Sequence, residues 1–178
     1  MKIIHWNMRY FPLLGGIETH VDTLIRHMSD IEFEIVTDAL PGELQIERYR
    51  PNATIHRFRP VDRSRTGKHR KLSVPIASVR DALREARQRK YLRETKCDLL
   101  HVHDFEKNLL LMEDVTKLRL FGRLARKMHR MRDFTCPRLL TKHFMFTKQN
   151  AVPALRRWED SLVREFDTII CVDKPIQR

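Results

Sequence analysis

The stretch Phe11-Pro12-Leu13-Leu14-Gly15-Gly16-Ile17-Glu18-Thr19-His20-Val21 joins a short apolar segment to an amphipathic one. Residues 2–7 before it predict a buried strand, and apolar side chains recur after it at helical spacing: Ile17, Val21, Leu24, Ile25 and Met28. The two glycines allow a ligand to approach the backbone closely, and the positive end of the helix dipole favours a phosphate. The stretch is typical of either an anion site or an ordinary glycine turn, and the glycine pair by itself favours the turn.

Strand-like and helix-like segments alternate along the rest of the chain. Further strands are predicted at residues 32–37, 53–58, 98–101, 138–142 and 168–172, and further helices at 78–95, 115–132 and 153–166. This alternation predicts a Rossmann-like α/β fold, an open and mostly parallel sheet with helices on both faces. Ligands of such sheets bind beyond the carboxyl ends of the strands, where Gly15-Gly16, His103 and His143 all fall.

Length and composition indicate one domain inside the cell. The 178 residues give room for a single core. The three cysteines (Cys97, Cys136 and Cys171) lie far apart, which is typical of reduced, structural thiols. There is no apolar run of the roughly 20 residues that a membrane helix needs, and the N-terminus does not resemble a signal peptide. We therefore expect a cytoplasmic protein.

The net charge of +12 is concentrated in residues 63–96 and 117–132. Both stretches predict basic amphipathic helices, the first preceded by a basic loop, and such helices bind anionic bilayers or simply expose a solvated face. The candidate membrane contacts are Arg63, Arg65, Lys68, Arg70, Lys71, Arg84 and Arg87. Nucleic-acid binding is not expected, because the basic residues lack interleaved aromatic side chains.

Four strings of sequence together resemble the first half of the family 4 glycosyltransferases of GT-B fold. They are Phe11 to Val21, Asp98-Leu99-Leu100-His101-Val102-His103, Pro137-Arg138-Leu139-Leu140-Thr141-Lys142-His143, and Glu159 to Asp173. The resemblance implies a protein of about twice this length with two Rossmann-like halves. Residues 1–178 would be the N-terminal, acceptor-side half of a longer protein, because this chain lacks the Glu-x7-Glu motif of the C-terminal, nucleotide-sugar half.

The resemblance also implies an activity and a site. The reaction would be retaining transfer of a sugar from a nucleoside diphosphate sugar to an acceptor hydroxyl, with the acceptor lipid-linked or at a membrane surface. Gly15 and Gly16 would contact the donor diphosphate, and His103 would be the catalytic residue that contacts the transferred sugar. The acceptor side of the cleft would be lined by His20, Asp104, Thr141 and His143. The expected partners are the acceptor, the C-terminal half and an anionic membrane face, with no permanently bound cofactor.

Three alternatives stay open from the residues alone. His101 and His103 share one face of an extended strand and, with Asp104, suggest a metal pair; however, no third or fourth ligand is visible at a suitable spacing. The resembling enzymes work without a bound metal, so we predict none and expect His101 to be a packed strand residue. The chain could instead be the membrane-recruiting, non-catalytic subunit of a split two-chain enzyme, or a sheet domain of unrelated function. Phe166 and Asp173 depart from the family pattern at the expected connection to the second half.

Overall fold

The computed structural model describes residues 1–7, 9–13, 15–39, 42–58, 83–103, 131, 133–142 and 163–171. Several predicted features lie outside these residues. They are the basic loop, most of the helices predicted at 115–132 and 153–166, the helix start near Ser78, and the site candidates Asp104 and His143.

Seven strands and two helices form the described structure. In chain order they are β1 (Lys2–Trp6), α1 (Gly16–His27), β2 (Glu32–Asp38), β3 (Ile46–Arg50), β4 (Ala53–Phe58), α2 (residues 83–94), β5 (Leu99–His103), β6 (Arg138–Lys142) and β7 (Thr168–Cys171). All six predicted strands are present. β5 runs two residues further than predicted, so His103 ends the strand.

The strands form one sheet in the order β3-β4-β2-β1-β5-β6-β7. Every neighbouring pair is parallel except β3 with β4. The predicted open, mostly parallel sheet is therefore confirmed. Its six parallel strands end at one edge, which we call the carboxyl edge.

β3 was not predicted from the sequence. Three of its five residues, Glu47, Arg48 and Arg50, are charged, and the strand lies at the edge of the sheet. Charged side chains are a common protection of edge strands. The segment is a strand because its backbone pairs with β4, and no apolar pattern of its own announces it.

The two helices cover opposite faces of the sheet, as predicted. On the α1 face, Val21 and Ile25 of the helix pack with Ile3, Phe33 and Ile35 of the strands. On the α2 face, the buried cluster comprises Ile4, Trp6, Val36, Leu92, Leu100, Val102, Met131, Phe134, Leu140 and Phe166. Within the described segments, neither helix is both long enough and apolar enough to cross a bilayer.

Candidate functional site

A row of buried polar side chains crosses the α1 face at the carboxyl edge. Register pairs Thr37 with Arg57 and His103 with Thr141. Asn7 follows Trp6, which pairs with Val36 and Val102, so Asn7 lies between Thr37 and His103. We call Arg57, Thr37, Asn7, His103 and Thr141 the polar row. Each is at most 5% exposed, although two residues earlier in β2 and β4 the same face carries the buried, apolar Ile35 and Ile55.

Part of the polar row has unused hydrogen-bonding capacity. The amide nitrogen and oxygen of Asn7 and the hydroxyl of Thr37 are buried and have no partner among the described residues. A buried polar group without a partner costs about 1–3 kcal/mol, so such groups are rare in a packed core and usual where water or a ligand binds. Asn7 and Thr37 are therefore candidate binding residues at the ends of β1 and β2.

Arg57 holds the loop that leads to α1. Its guanidinium donates to the carbonyl oxygen of Phe11 at 3.0 Å and to Glu47 Oε2 at 2.6 Å. The Phe11–Pro12 peptide is cis, and the Phe11 ring stacks on Tyr49 with centroids 5.3 Å apart. β3 and β4 thus fix the position of the glycine loop over the carboxyl edge.

The two glycines have different surroundings. Gly15 is the N-cap residue of α1, with extended backbone and no side-chain capping hydrogen bond. A β-carbon built on Gly15 would lie 2.5 Å from Glu18 Oε2, because this carboxylate folds back over the start of the helix. A β-carbon on Gly16 meets no described atom within 4 Å. Among the described residues, the β-carbon position of Gly16 is therefore open at the positive end of α1, whereas Gly15 makes room for Glu18.

Three imidazoles meet beside the polar row. His5 on β1 and His101 on β5 are register partners, and His103 follows on the same face. The ring centroids lie 4.8 Å apart for His5 and His101, 5.3 Å for His5 and His103, and 4.0 Å for His101 and His103. The sequence prediction missed His5, although its position in β1, two residues before Asn7, already put it on the same face.

Each of the three histidines has a described hydrogen-bonding neighbour. His5 Nδ1 lies 3.1 Å from His103 Nε2, and His101 Nε2 lies 2.6 Å from the hydroxyl of Thr141. Burial, and then the neighbouring His101 and His20 rings, lower the pKa of His5 well below its usual range. His5 is therefore neutral at pH 7 and carries one ring proton.

The same three rings are the described group that could hold a metal ion, with one ligand nitrogen from each, all within 4.8 Å of one another. Three histidines are a known zinc ligand set. If His5 Nδ1 bound the ion, however, the ring proton would move to Nε2, which is buried without a partner among the residues described. A buried unpaired N–H costs about 1–3 kcal/mol. In the described structure His5 Nδ1 instead lies within hydrogen-bonding distance of His103 Nε2.

The structure brings together several residues that the sequence singled out. The exposed His20 ring on α1 lies 6.2 Å from the His103 ring, edge to face, and Thr141 reaches the same cluster through His101. Gly15 and Gly16 are exposed at the start of the same helix.

Of the candidate membrane contacts, the structure describes two, Arg84 and Arg87. Arg84 is buried on the α2 face and forms an ion pair of 2.9 Å with Asp38, so its burial argues against a contact with a bilayer. Arg87 is exposed. Arg63, Arg65, Lys68, Arg70 and Lys71 lie outside the described residues.

The chain matches the model of a known protein family. The family model described as Glycosyltransferase Family 4 matches residues 14–178, which is all of the chain except its first strand and part of the loop. The matched region includes α1, the histidines of β5 and Thr141. No curated protein matches the chain significantly.

Proposed function

Because this chain belongs to Glycosyltransferase Family 4, we propose that it is the acceptor-side half of a retaining enzyme that transfers a sugar from a nucleoside diphosphate sugar to an acceptor hydroxyl. The observation that carries the proposal is the polar row beneath the start of α1. It provides donors and acceptors for hydroxyl groups next to a helix terminus suited to an anion.

The start of α1 receives the donor diphosphate in this proposal. Negative charge builds up on the diphosphate as the glycosidic bond breaks, and fixed backbone N–H groups stabilise such charge without reorganisation. The open space around Gly16 supports a close approach of the phosphate to the backbone. The Glu18 carboxylate lies over Gly15. When the diphosphate binds, this carboxylate would move away from Gly15 or contact the acceptor.

His103 contacts the transferred sugar, and His20 closes the same side of the cleft. The polar row places His103 between Asn7 and Thr141, so hydroxyl groups of a sugar would meet Asn7 and Thr37 on one side. Asp104 and His143, which directly follow β5 and β6 in sequence, belong to the same proposed acceptor wall.

The rest of the proposal concerns what lies beyond this chain. A second Rossmann-like half supplies the nucleotide site, so residues 1–178 by themselves bind but do not turn over substrate. The acceptor is membrane-associated and the protein lies at the cytoplasmic face of a membrane, which is supported by the basic stretch of residues 63–96 and the exposed Arg87. If the protein pellets equally with anionic and neutral vesicles, the proposed electrostatic binding to a membrane is wrong.

The test is sugar transfer by the full-length protein that contains this chain, assayed with a panel of nucleoside diphosphate sugars by release of the nucleoside diphosphate. Gly16→Ala should lower kcat/KM by about tenfold or more, because the added methyl group fills space that the phosphate needs. His103→Ala should lower it by on the order of a hundredfold. NMR of the product gives its anomeric configuration.

Thr23→Ala is the matched control, since Thr23 is exposed on α1 two turns beyond Gly16. It should transfer sugar at the parent rate. Unchanged kcat/KM in both Gly16→Ala and His103→Ala would contradict the proposed site, and an inverted product would contradict the retaining mechanism.

A further inference from the structure

Two of the three cysteines meet at the start of neighbouring strands. Cys97 lies two residues before β5 and Cys136 two residues before β6, and these strands pair in parallel. Both thiols are free, and their sulfur atoms lie 2.8 Å apart. Because the two residues are 39 positions apart in sequence, the sheet and not the local chain brings them together.

Hydrogen bonds anchor the backbone next to each cysteine. At the start of β5, the Asp98 N–H donates to the carbonyl oxygen of Lys2 at 2.9 Å, and the Lys2 N–H donates to the Asp98 carboxylate at 2.7 Å. At the start of β6, the Arg138 N–H donates to the Asp167 carboxylate at 2.8 Å. The separation of the two cysteines is therefore fixed by the ends of the strands that carry them.

The thiols lie at the margin of the core on the α2 face. Both are half-buried and pack against the buried cluster of that face. Burial, and then the hydrogen bond with Cys136, raise the pKa of Cys97 well above its usual range. Since a thiol attacks a disulfide as its thiolate, the pair is not suited to rapid dithiol catalysis. Its partial exposure leaves it open to slower oxidation by a small molecule.

We propose that Cys97 and Cys136 form a reversible disulfide that joins the starts of β5 and β6 under oxidising conditions. The sulfur atoms of a disulfide lie about 2.05 Å apart, so the two thiols would approach each other by less than about 1 Å. In a reducing compartment the pair stays as two thiols, the state that the structure shows.

The oxidant is a low-molecular-weight disulfide such as glutathione disulfide. One cysteine thiolate attacks it, which forms a mixed disulfide and releases one glutathione. The second cysteine thiolate then attacks the protein sulfur of the mixed disulfide and releases the other glutathione. The protein gives up two electrons and two protons, and the two released glutathione thiols carry them.

The consequence of the bond is a more stable fold. It closes a loop that contains residues 98–135, which reduces the conformational freedom of the unfolded chain. The bond lies at the amino ends of β5 and β6, whereas the candidate site lies at the carboxyl edge. The proposal therefore concerns stability and is independent of the proposed function.

The test is oxidation of the full chain in glutathione buffers at mildly alkaline pH, followed by alkylation and digestion with trypsin without reduction. Trypsin releases Cys97 in the peptide of residues 97–107 and Cys136 in the peptide of residues 133–138. With excess glutathione disulfide, mass spectrometry should find these two peptides linked in most chains, and dithiothreitol should separate them. Oxidation should also raise the melting temperature by about 5–10 °C.

Substitutions of single cysteines by serine are the controls. Cys97→Ser and Cys136→Ser should each lose both the linked peptide and the rise in melting temperature. Cys171→Ser removes the third cysteine of the chain and should keep both. The first measurement uses the parent chain, so its result does not depend on whether a variant folds.

Three results would overturn the proposal. They are the absence of the linked peptide from the parent chain at every glutathione ratio, a linked peptide that contains Cys171 in place of Cys97 or Cys136, and an equal melting temperature for the oxidised and reduced chains.

Discussion

The two faces of the sheet at β1 differ in whether their buried polar groups have hydrogen-bond partners. On the α2 face, the buried polar groups next to Trp6 have partners: Trp6 Nε1 donates to Gln88 at 3.2 Å, and Gln88 donates to Asp38 at 3.1 Å. On the α1 face, one residue along the same strand, His5 Nε2 and both amide atoms of Asn7 are buried with no partner in the described segments.

Glu34 on the α2 face shows how completely a buried charge can be satisfied. Its carboxylate accepts hydrogen bonds from Lys2 Nζ at 2.9 Å and from the Tyr91 hydroxyl at 3.2 Å, and His56 Nε2 lies 3.6 Å away. The comparison teaches that this fold can pair its buried polar groups. Unused groups gathered at the carboxyl edge of the other face are therefore best explained by a function, because they weaken the core that contains them.

The largest expected effect is a loss of stability caused by a substitution on the α2 face. Trp6→Ala should lower the free energy of unfolding by about 3–5 kcal/mol, since it empties a large buried site and leaves Gln88 without its donor. His5→Phe, the neighbouring substitution on the other face, should cost only about 1–2 kcal/mol, because it removes one buried hydrogen bond but leaves no empty site. Urea unfolding of both variants measures the contrast, and equal costs would mean that both faces contribute alike to stability.

Low pH should lower the free energy of unfolding, because Glu34 on the α2 face becomes protonated. Burial alone raises the pKa of this carboxyl, but hydrogen bonds from His56 and Lys2 outweigh burial and lower the pKa to about 2. Because the folded-state pKa lies below the unfolded value, the stabilisation is complete above about pH 4.5 and is lost as the pH falls toward 2. We expect a loss of about 2–3 kcal/mol in that window by thermal or urea unfolding. Glu34→Gln should show a flatter pH dependence, and an equally steep one would assign the acid sensitivity to other carboxylates.

The smallest expected effects come from removing two hydroxyl groups of the polar row. Thr141→Val removes the hydroxyl that bonds His101 Nε2 and should destabilise the protein by about 1–2 kcal/mol. Thr37→Val removes a buried hydroxyl without a partner among the described residues and should be neutral or stabilising by up to about 1 kcal/mol. Chemical denaturation of the two variants measures this difference in stability. A clear loss for Thr37→Val would show that water or another group already satisfies that hydroxyl.

Much of the fold could be predicted because its signals are local. The strand from Ala53 to Phe58 alternates strictly, α1 has a clear apolar stripe, and the glycine pair marks the joint between β1 and α1. β3 could not be predicted, since Glu47, Arg48 and Arg50 give no apolar pattern and the strand depends on pairing with β4. The buried ion pair of Arg84 was missed for a similar reason. A basic residue in a basic stretch is typical of a surface, and its partner Asp38 lies far away in sequence, at the end of β2.

The candidate site divides in the same way. The sequence indicated Gly16, His103 and Thr141, because they lie at the start of a predicted helix or near the end of a predicted strand and because they match a family pattern. It did not indicate His5, Asn7, Thr37 or Arg57 as site residues, although each belongs to a predicted strand or directly follows one. Nothing local distinguishes them from other strand residues, and their role appears only when the register aligns four strands.

The sequence by itself determined that a strand, two glycines and a helix begin a parallel α/β sheet and that His101 and His103 share one face of a later strand. Backbone preference and side-chain periodicity act over a few residues, so they can be recognised in the chain alone. The tertiary structure decided that His5 meets His103, 98 residues away, and that Asn7 and Thr37 lie beside them with no side-chain partner among the residues described. Those facts depend on which strands become neighbours and in what register, and both are settled by packing of the whole sheet.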